Sequence, residues 1–231
     1  MIPPDAPLPP APAAPGDVEG FPRGRVPRAV RERQVLGLAR GLFAERGYQQ
    51  ASMDELASRA GVSKPVIYDL VGSKEALYER CVAETASELA RVVTDAVQAA
   101  TSPEQRLRDG ATAFLRWVAE PHGGWDLLLA PGPEAGREPI LEIRRRQSAL
   151  LTELLRATLA ELGTSLEPWR VEAIGAALNT GFEGIAFWWR ESEHEVSAEE
   201  LVDWLTSIYL PGIFAIVDSP HASPLPRPDA A

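Results

Sequence analysis

An all-α chain, with a short three-helix unit ahead of a larger helical body, is what three features of the sequence predict. Apolar residues recur at helical spacing, first at Val35, Leu38, Ala39, Leu42 and Phe43, one stripe at i, i+3, i+4, i+7 and i+8. Capping signatures of the form S-x-x-E or S-x-x-Q begin at Ser52, Ser102 and Ser197, and Gly or Pro punctuates the intervals. The alternation of period two that marks strands is absent.

Composition sets the outer bounds. With 231 residues, 45% of them hydrophobic, the chain can bury one large core or two small ones. Its formal net charge is -10, but the charge is unevenly placed. Residues 23–80 hold 11 Lys and Arg against 7 Asp and Glu, and the rest of the chain holds 12 against 26. A basic segment on an acidic body suits phosphate contact at one end, and a solvated asymmetry without function has the same appearance. The single cysteine, Cys81, excludes an intrachain disulfide. No apolar run approaches the roughly 20 residues that span a bilayer. The start MIPPDAPLPPAPAAP lacks the basic and apolar regions of a secretory signal. A cytoplasmic protein with no membrane partner is expected.

Four segments are expected: 1–27, a disordered Pro-rich tail with a basic arm; 28–77, a helix-turn-helix domain; 78–217, a helical body; and 218–231, a second disordered tail. The first residues are Pro- and Ala-rich and cannot bury enough apolar surface to offset the entropy of ordering. Arg23, Arg25, Arg28, Arg31 and Arg33 follow. They read equally as an arm reaching DNA phosphates or as a solubilising helix entry. The first helix runs from Arg28 to Arg46, and Gly47 supplies its C′ residue.

Ser52-Met53-Asp54-Glu55 fits a capping box for a second helix, whose inner face is Met53, Leu56, Ala57 and Ala60. Gly61 permits a left-handed turn that a Cβ would penalise. Val62 is an apolar plug under that turn, Ser63 a cap for the third helix, and Pro65 is tolerated in its first turn. Val66, Ile67 and Leu70 can pack back on the other two helices. Two short helices joined by about four residues with a glycine form a helix-turn-helix.

These residues carry a family resemblance. Leu42-Phe43, Gly47-Tyr48, Ser52-Met53, Leu56-Ala57, Ala60-Gly61-Val62-Ser63-Lys64, Tyr68, Ser73-Lys74-Glu75 and Leu77 occur in the order seen in the DNA-binding domain of the TetR family of transcriptional regulators. The segment from Arg33 to Leu77 resembles that domain without gaps. The resemblance implies an N-terminal three-helix helix-turn-helix DNA-binding domain followed by a larger helical ligand-binding and dimerisation domain. Two departures stand out. Asp69-Leu70-Val71-Gly72 replaces the aromatic pair common after the tyrosine, which adds a negative charge near the DNA-facing end and loosens the junction to the fourth helix. Ala51 stands where Thr is frequent.

The third helix, about Lys64 to Leu70, is short enough to lie in a major groove with its first residues at base edges. Ser63, Lys64, Pro65, Val66 and Tyr68 are the exposed candidates, with Val66 divided between core and thymine-methyl contact. Ser52 stands at a helix N-terminus, where free N–H groups favour an anion. The resemblance gives Tyr68 and Lys74 phosphate contacts, and double-stranded operator DNA is the expected partner.

In the body, helices are expected from Ser73 to about Ala100, from Ser102 to Pro121, from Trp125 to Ala130, from Ile140 to Leu162, from Trp169 to Glu191 and from Ser197 to about Tyr209, with Pro211 kinking or ending the last. Small residues on the Trp169–Glu191 helix and apolar ones on the last suggest a four-helix homodimer interface built from Ala177, Gly181, Gly184, Leu201, Trp204, Leu205 and Ile208. Intrachain packing must claim some of them. Phe114, Trp117, Trp125, Phe182 and Trp188 are candidates to line a pocket for a hydrophobic small-molecule effector, with core packing as the plainer role for each. The Arg144-Arg145-Arg146 run reads as a solvated face. No enzyme is expected: His122, His194 and His221 are scattered, Glu191-x-x-His194 is a single copy, and no cofactor or metal is called for. Cys81 reads as packing. The function expected is a dimeric, ligand-responsive repressor of a palindromic operator. An activator or ligand-independent regulator is the alternative within regulation. A helical small-molecule- or protein-binding module without DNA binding is the alternative of another class.

Overall fold

The elements of the computed structural model are α1 (Arg28–Gln50), α2 (Met53–Ala60), α3 (Lys64–Val71), α4 (Lys74–Ala99), α5 (Pro103–Ala119), α6 (Gly124–Leu129), α7 (Arg137–Glu161), β1 (Thr164–Ser165), α8 (Pro168–Glu191), α9 (Ala198–Val217) and β2 (Ser223–Pro224). The structure describes residues 26–121, 123–129, 132, 137–217 and 223–224. The expectations for the first 25 residues, with Arg23 and Arg25, for His122 and for most of the tail beyond 217, with His221, lie outside them.

Local chemistry explains the first four helices. The regular part of α1 ends at Gly47, whose φ of 69° and ψ of 166° interrupt it. Ser52 caps α2 by accepting from the Asp54 N–H at 3.2 Å. The expected capping box is only half built: Glu55 turns instead to Arg59 at 2.6 Å, and that guanidinium also binds both carboxylate oxygens of Glu45. Gly61 adopts φ 65° and ψ 32°, and the Gly61 and Val62 N–H groups close back on the Ser58 and Ala57 carbonyls. Ser63 occupies the N-cap of α3 but makes no side-chain capping bond, contrary to expectation; only its carbonyl takes part, accepting from Val66 and Ile67. Ser73 does cap α4, through the Ala76 N–H at 3.1 Å.

The chain divides into two compact units, Met1–Glu88 with Pro121–Ile140, and Leu89–Glu120 with Leu141–Ala231. In the first, α1, α2 and α3 surround Val35, Leu42, Phe43, Leu56 and Ile67, each at most 2% exposed. Phe43 and Tyr48 both meet Tyr78 at 5.1 Å between ring centroids. Arg40, 7% exposed, reaches Glu88 at 2.9 Å. Removing one partner of a well-buried pair costs about 3–5 kcal/mol; Glu88 is partly solvated, which lowers that figure here. Cys81 is fully buried, and burial pushes its thiol up to about 12. Helix α6 packs on α1, so this unit is not one continuous stretch of sequence.

In the second unit α5 packs along α9, with Leu115, Val118, Val202 and Leu205 buried. Leu155, Leu159 and Val171 form a separate apolar cluster with Leu166 and Ile174. The Ser197 box is complete: Ser197 N–H donates to Glu200 Oε2 at 3.0 Å, and Glu200 N–H to Ser197 Oγ at 3.2 Å. Two expectations are corrected. Helix α9 passes through Pro211 to Val217, because a proline removes one N–H from the ladder without requiring a stop. Strands are not wholly absent, since Thr164–Ser165 pairs antiparallel with Ser223–Pro224, two residues of the tail expected to be disordered.

Candidate nucleic-acid interface

Helix α3 separates its side chains cleanly. Ile67, Leu70 and Val71 are buried, which fixes the helix on the unit below. Ser63, Lys64, Pro65, Val66, Tyr68 and Asp69 are exposed. Val66 at 41% and Tyr68 at 44% exposure are large apolar surfaces left to solvent, so Val66 is no core residue in this chain. Val71 points inward at 4% exposure. Gly72, expected to loosen the junction, turns the chain at φ 76° and ψ -134°, with its N–H bonded to the Tyr68 carbonyl at 2.9 Å.

The charged groups around this face are held. Lys64 Nζ lies 2.8 Å from Asp54 Oδ2, and that carboxylate raises the lysine above its ordinary range. Lys74 Nζ donates to the Gln49 carbonyl at 3.3 Å and stands 4.6 Å from the centre of the Tyr48 ring. Tyr48 in turn donates to Glu75 at 2.7 Å, and desolvation followed by that bond pushes its hydroxyl up to about 12. Ser52 is partly exposed at the α2 N-terminus. The seven residues singled out from the sequence therefore lie on or beside one helix, with Ser52 and Lys74 at its flanks. Sequence reasoning missed Asp54 as the partner of Lys64, and Arg28 as the partner of Asp69 at 2.6 Å. Only the closeness of an acid to a base could have signalled the first; nothing local signals a pair 41 residues apart.

The residues proposed for self-association divide. Trp204 and Ile208 are 61% and 54% exposed, Ala177 and Gly184 are exposed, and nothing stands within 4 Å of a Cβ built at Gly184. Leu201 and Leu205 are instead 5% and 3% exposed and belong to the core of their own chain. Gly181 admits Tyr209, whose hydroxyl oxygen would stand 2.9 Å from an added Cβ, so its smallness serves intrachain packing. Among the pocket candidates, Phe114 and Phe182 are half-buried and Trp117 is buried in the second unit. Trp125 is buried in the first unit, and Trp188 is 46% exposed beside His194. Arg145 is exposed, as a solvated face requires; the side chains of Arg144 and Arg146 lie outside the described residues. Among the described residues no group of three or more His, Cys, Asp or Glu could hold a metal, and no helix is long and apolar enough to cross a membrane.

One match to known proteins falls on this same segment. Residues 35–81 match the family model described as bacterial regulatory proteins, tetR family. The chain is 39% identical over 105 residues to the HTH-type transcriptional activator FasR of Mycolicibacterium smegmatis, a match covering 46% of this chain and 48% of that relative, about half its length. A TetR-like transcriptional regulator from Rhodococcus sp. RHA1 superposes with a TM-score of 0.64 at 29% identity, over 81% of this chain and all of that one. The transcriptional regulator FadR of Bacillus subtilis, solved in complex with stearoyl-CoA, gives a TM-score of 0.67 over 78% of this chain and 97% of its own. At 17% identity that likeness is one of fold.

Proposed function

This chain belongs to the TetR family of transcriptional regulators, DNA-binding proteins rather than enzymes, and on that premise we propose a homodimeric repressor that reads a palindromic operator with one α3 from each subunit. One observation carries the reading. Lys64, Pro65, Val66 and Tyr68 are exposed together on α3 while Ile67, Leu70 and Val71 anchor it from the other side. That is the arrangement a major-groove helix needs. In this reading Lys64 meets a base edge or phosphate, and Val66 a thymine methyl. Ser52, Tyr68 and Lys74 meet phosphates on either flank. A single eight-residue helix reads too few bases, and the exposed Trp204 and Ile208 supply a surface for pairing. The protein acts in the cytoplasm, where its DNA is.

The effector is a hydrophobic small molecule held in the second unit, with Phe114, Trp117 and Phe182 as lining candidates. The stearoyl-CoA complex of the Bacillus subtilis fold relative makes a long-chain acyl-CoA the first compound to try. Binding would shift the population between DNA-competent and DNA-incompetent states. A second reading, activation, is favoured by the activator named in Mycolicibacterium smegmatis. Titration of the protein with operator duplex, with and without stearoyl-CoA, tests the proposal. Tight binding released by the acyl-CoA supports it. Binding indifferent to the acyl-CoA rejects this effector, and affinity equal for operator and random duplex rejects operator reading.

A further inference from the structure

Arg28 and Arg31 stand one turn apart at the start of α1, and each donates to the carboxyl end of a different helix of the helix-turn-helix. Arg28 Nη2 donates to the Asp69 carbonyl at 2.5 Å while its Nη1 donates to the Asp69 carboxylate at 2.6 Å. Arg31 Nη1 donates to the Ala60 carbonyl at 3.4 Å and to Gln34 Oε1 at 2.7 Å. The last four carbonyls of a helix have no partner within it. Asp69 lies in the last turn of α3, and Ala60 is the last residue of α2. The neighbouring carbonyls are already served: Gly72 takes Tyr68, and Gly61 and Val62 take Ser58 and Ala57. The arginines thus supply donors to helix ends that lack them, and a cation at a helix C-terminus is favoured by the dipole.

We infer that Arg28 and Arg31 are positioning residues, a two-point bracket from α1 that sets α3 against α2, and that Asp69 commits Arg28 to this bracket instead of to a DNA phosphate. The inference rests on α3 being the DNA-contacting helix. A planar fork of donors suits two acceptors on one residue, and a lysine, whose ammonium has no fixed fork, does not hold the same geometry. Arg28 and Asp69 side chains are 60% and 72% exposed, and ion pairs so exposed contribute little to stability. The effect of the bracket is therefore on orientation, felt where a partner selects one angle of α3. Asp69 also ceases to be a bare negative charge facing DNA, since Arg28 neutralises it in place.

The test is a set of binding titrations at several salt concentrations, using operator duplex and random duplex, on the wild type, Arg28→Ala, Arg28→Lys, Asp69→Asn and the Arg28→Ala/Asp69→Asn pair. Arg28→Ala is expected to weaken operator binding about three- to fivefold, with random duplex nearly unaffected and the salt slope unchanged. Arg28→Lys does not restore it, and the double variant binds no worse than Arg28→Ala. A fall in slope of about 0.9, the loss of one phosphate contact, with recovery in Arg28→Lys, overturns the inference. Amide exchange on the DNA-free protein decides it separately. The Gly72 N–H is expected to exchange about two- to fivefold faster in Arg28→Ala, as a lost cap allows, and equal exchange overturns the bracket. If no duplex is preferred by the wild type, the reading of α3 fails while the exchange result still judges the bracket.

Discussion

Around α3 the exposed charges are held by partners: Lys64 by Asp54, Asp69 by Arg28, Lys74 by the Gln49 carbonyl. On α8 and α9 large apolar side chains stand exposed among the charged ones, with Trp204 at 61%, Ile208 at 54% and Phe187 at 50%. The first surface keeps its charges solvated and oriented, which suits a partner made of phosphate and base edges. The second leaves apolar area in water until something covers it. Val66 and Tyr68 are the exceptions on α3, and with Pro65 they offer apolar surface to a base or sugar.

The contrast within α9 gives the largest expected effect. Leu205→Ala should lower stability by about 2–5 kcal/mol, seen as a depressed melting temperature. Its sedimenting mass should stay that of the wild type. Trp204→Arg should do the reverse, keeping the melting temperature of a folded subunit and losing at least about 2 kcal/mol of association, so that sedimentation finds the monomer. If Leu205→Ala dissociates the protein and Trp204→Arg merely melts it, the division between core and pairing face is wrong. On the DNA side Lys74→Ala should weaken all duplexes alike and lower the salt slope by about one unit. An unaltered slope would remove Lys74 from the phosphate contacts. Smallest is an absence of effect at Cys81. With its thiol pushed up to about 12 by burial, the folded protein should resist alkylation at about pH 8, whereas the unfolded protein labels readily. Rapid labelling of the folded chain would show that α4 opens.

Much of the N-terminal unit was legible in the sequence because its determinants are local. Ser52 and Ser73 announce helix starts, Gly61 announces a left-handed turn, and the stripe of Val35, Leu42 and Phe43 announces a buried face. What escaped depends on distance in the sequence. The Arg28–Asp69 pair spans 41 residues, and nothing beside Arg28 distinguishes a helix cap from a phosphate arm. The same limit divides α9: Leu201, Trp204, Leu205 and Ile208 share one helical spacing, and only the packing of α5 shows that the two leucines face inward and the other two outward. Glycine and alanine in α8 were ambiguous for the same reason, since Gly181 and Gly184 differ only in whether Tyr209 stands opposite. Pro211 shows the converse: of the two outcomes a local rule allows there, a kink or an end, the end is excluded only because the helix continues on both sides.

Selection of bound duplexes from a random pool tests the central claim, that two copies of the exposed α3 face read DNA together. The expected result is an inverted repeat whose half-sites lie about one helical turn, or a multiple of it, apart, with enrichment lost in Lys64→Ala. Recovery of no preferred duplex, or of a single unrepeated site that Lys64→Ala recovers equally well, would contradict it.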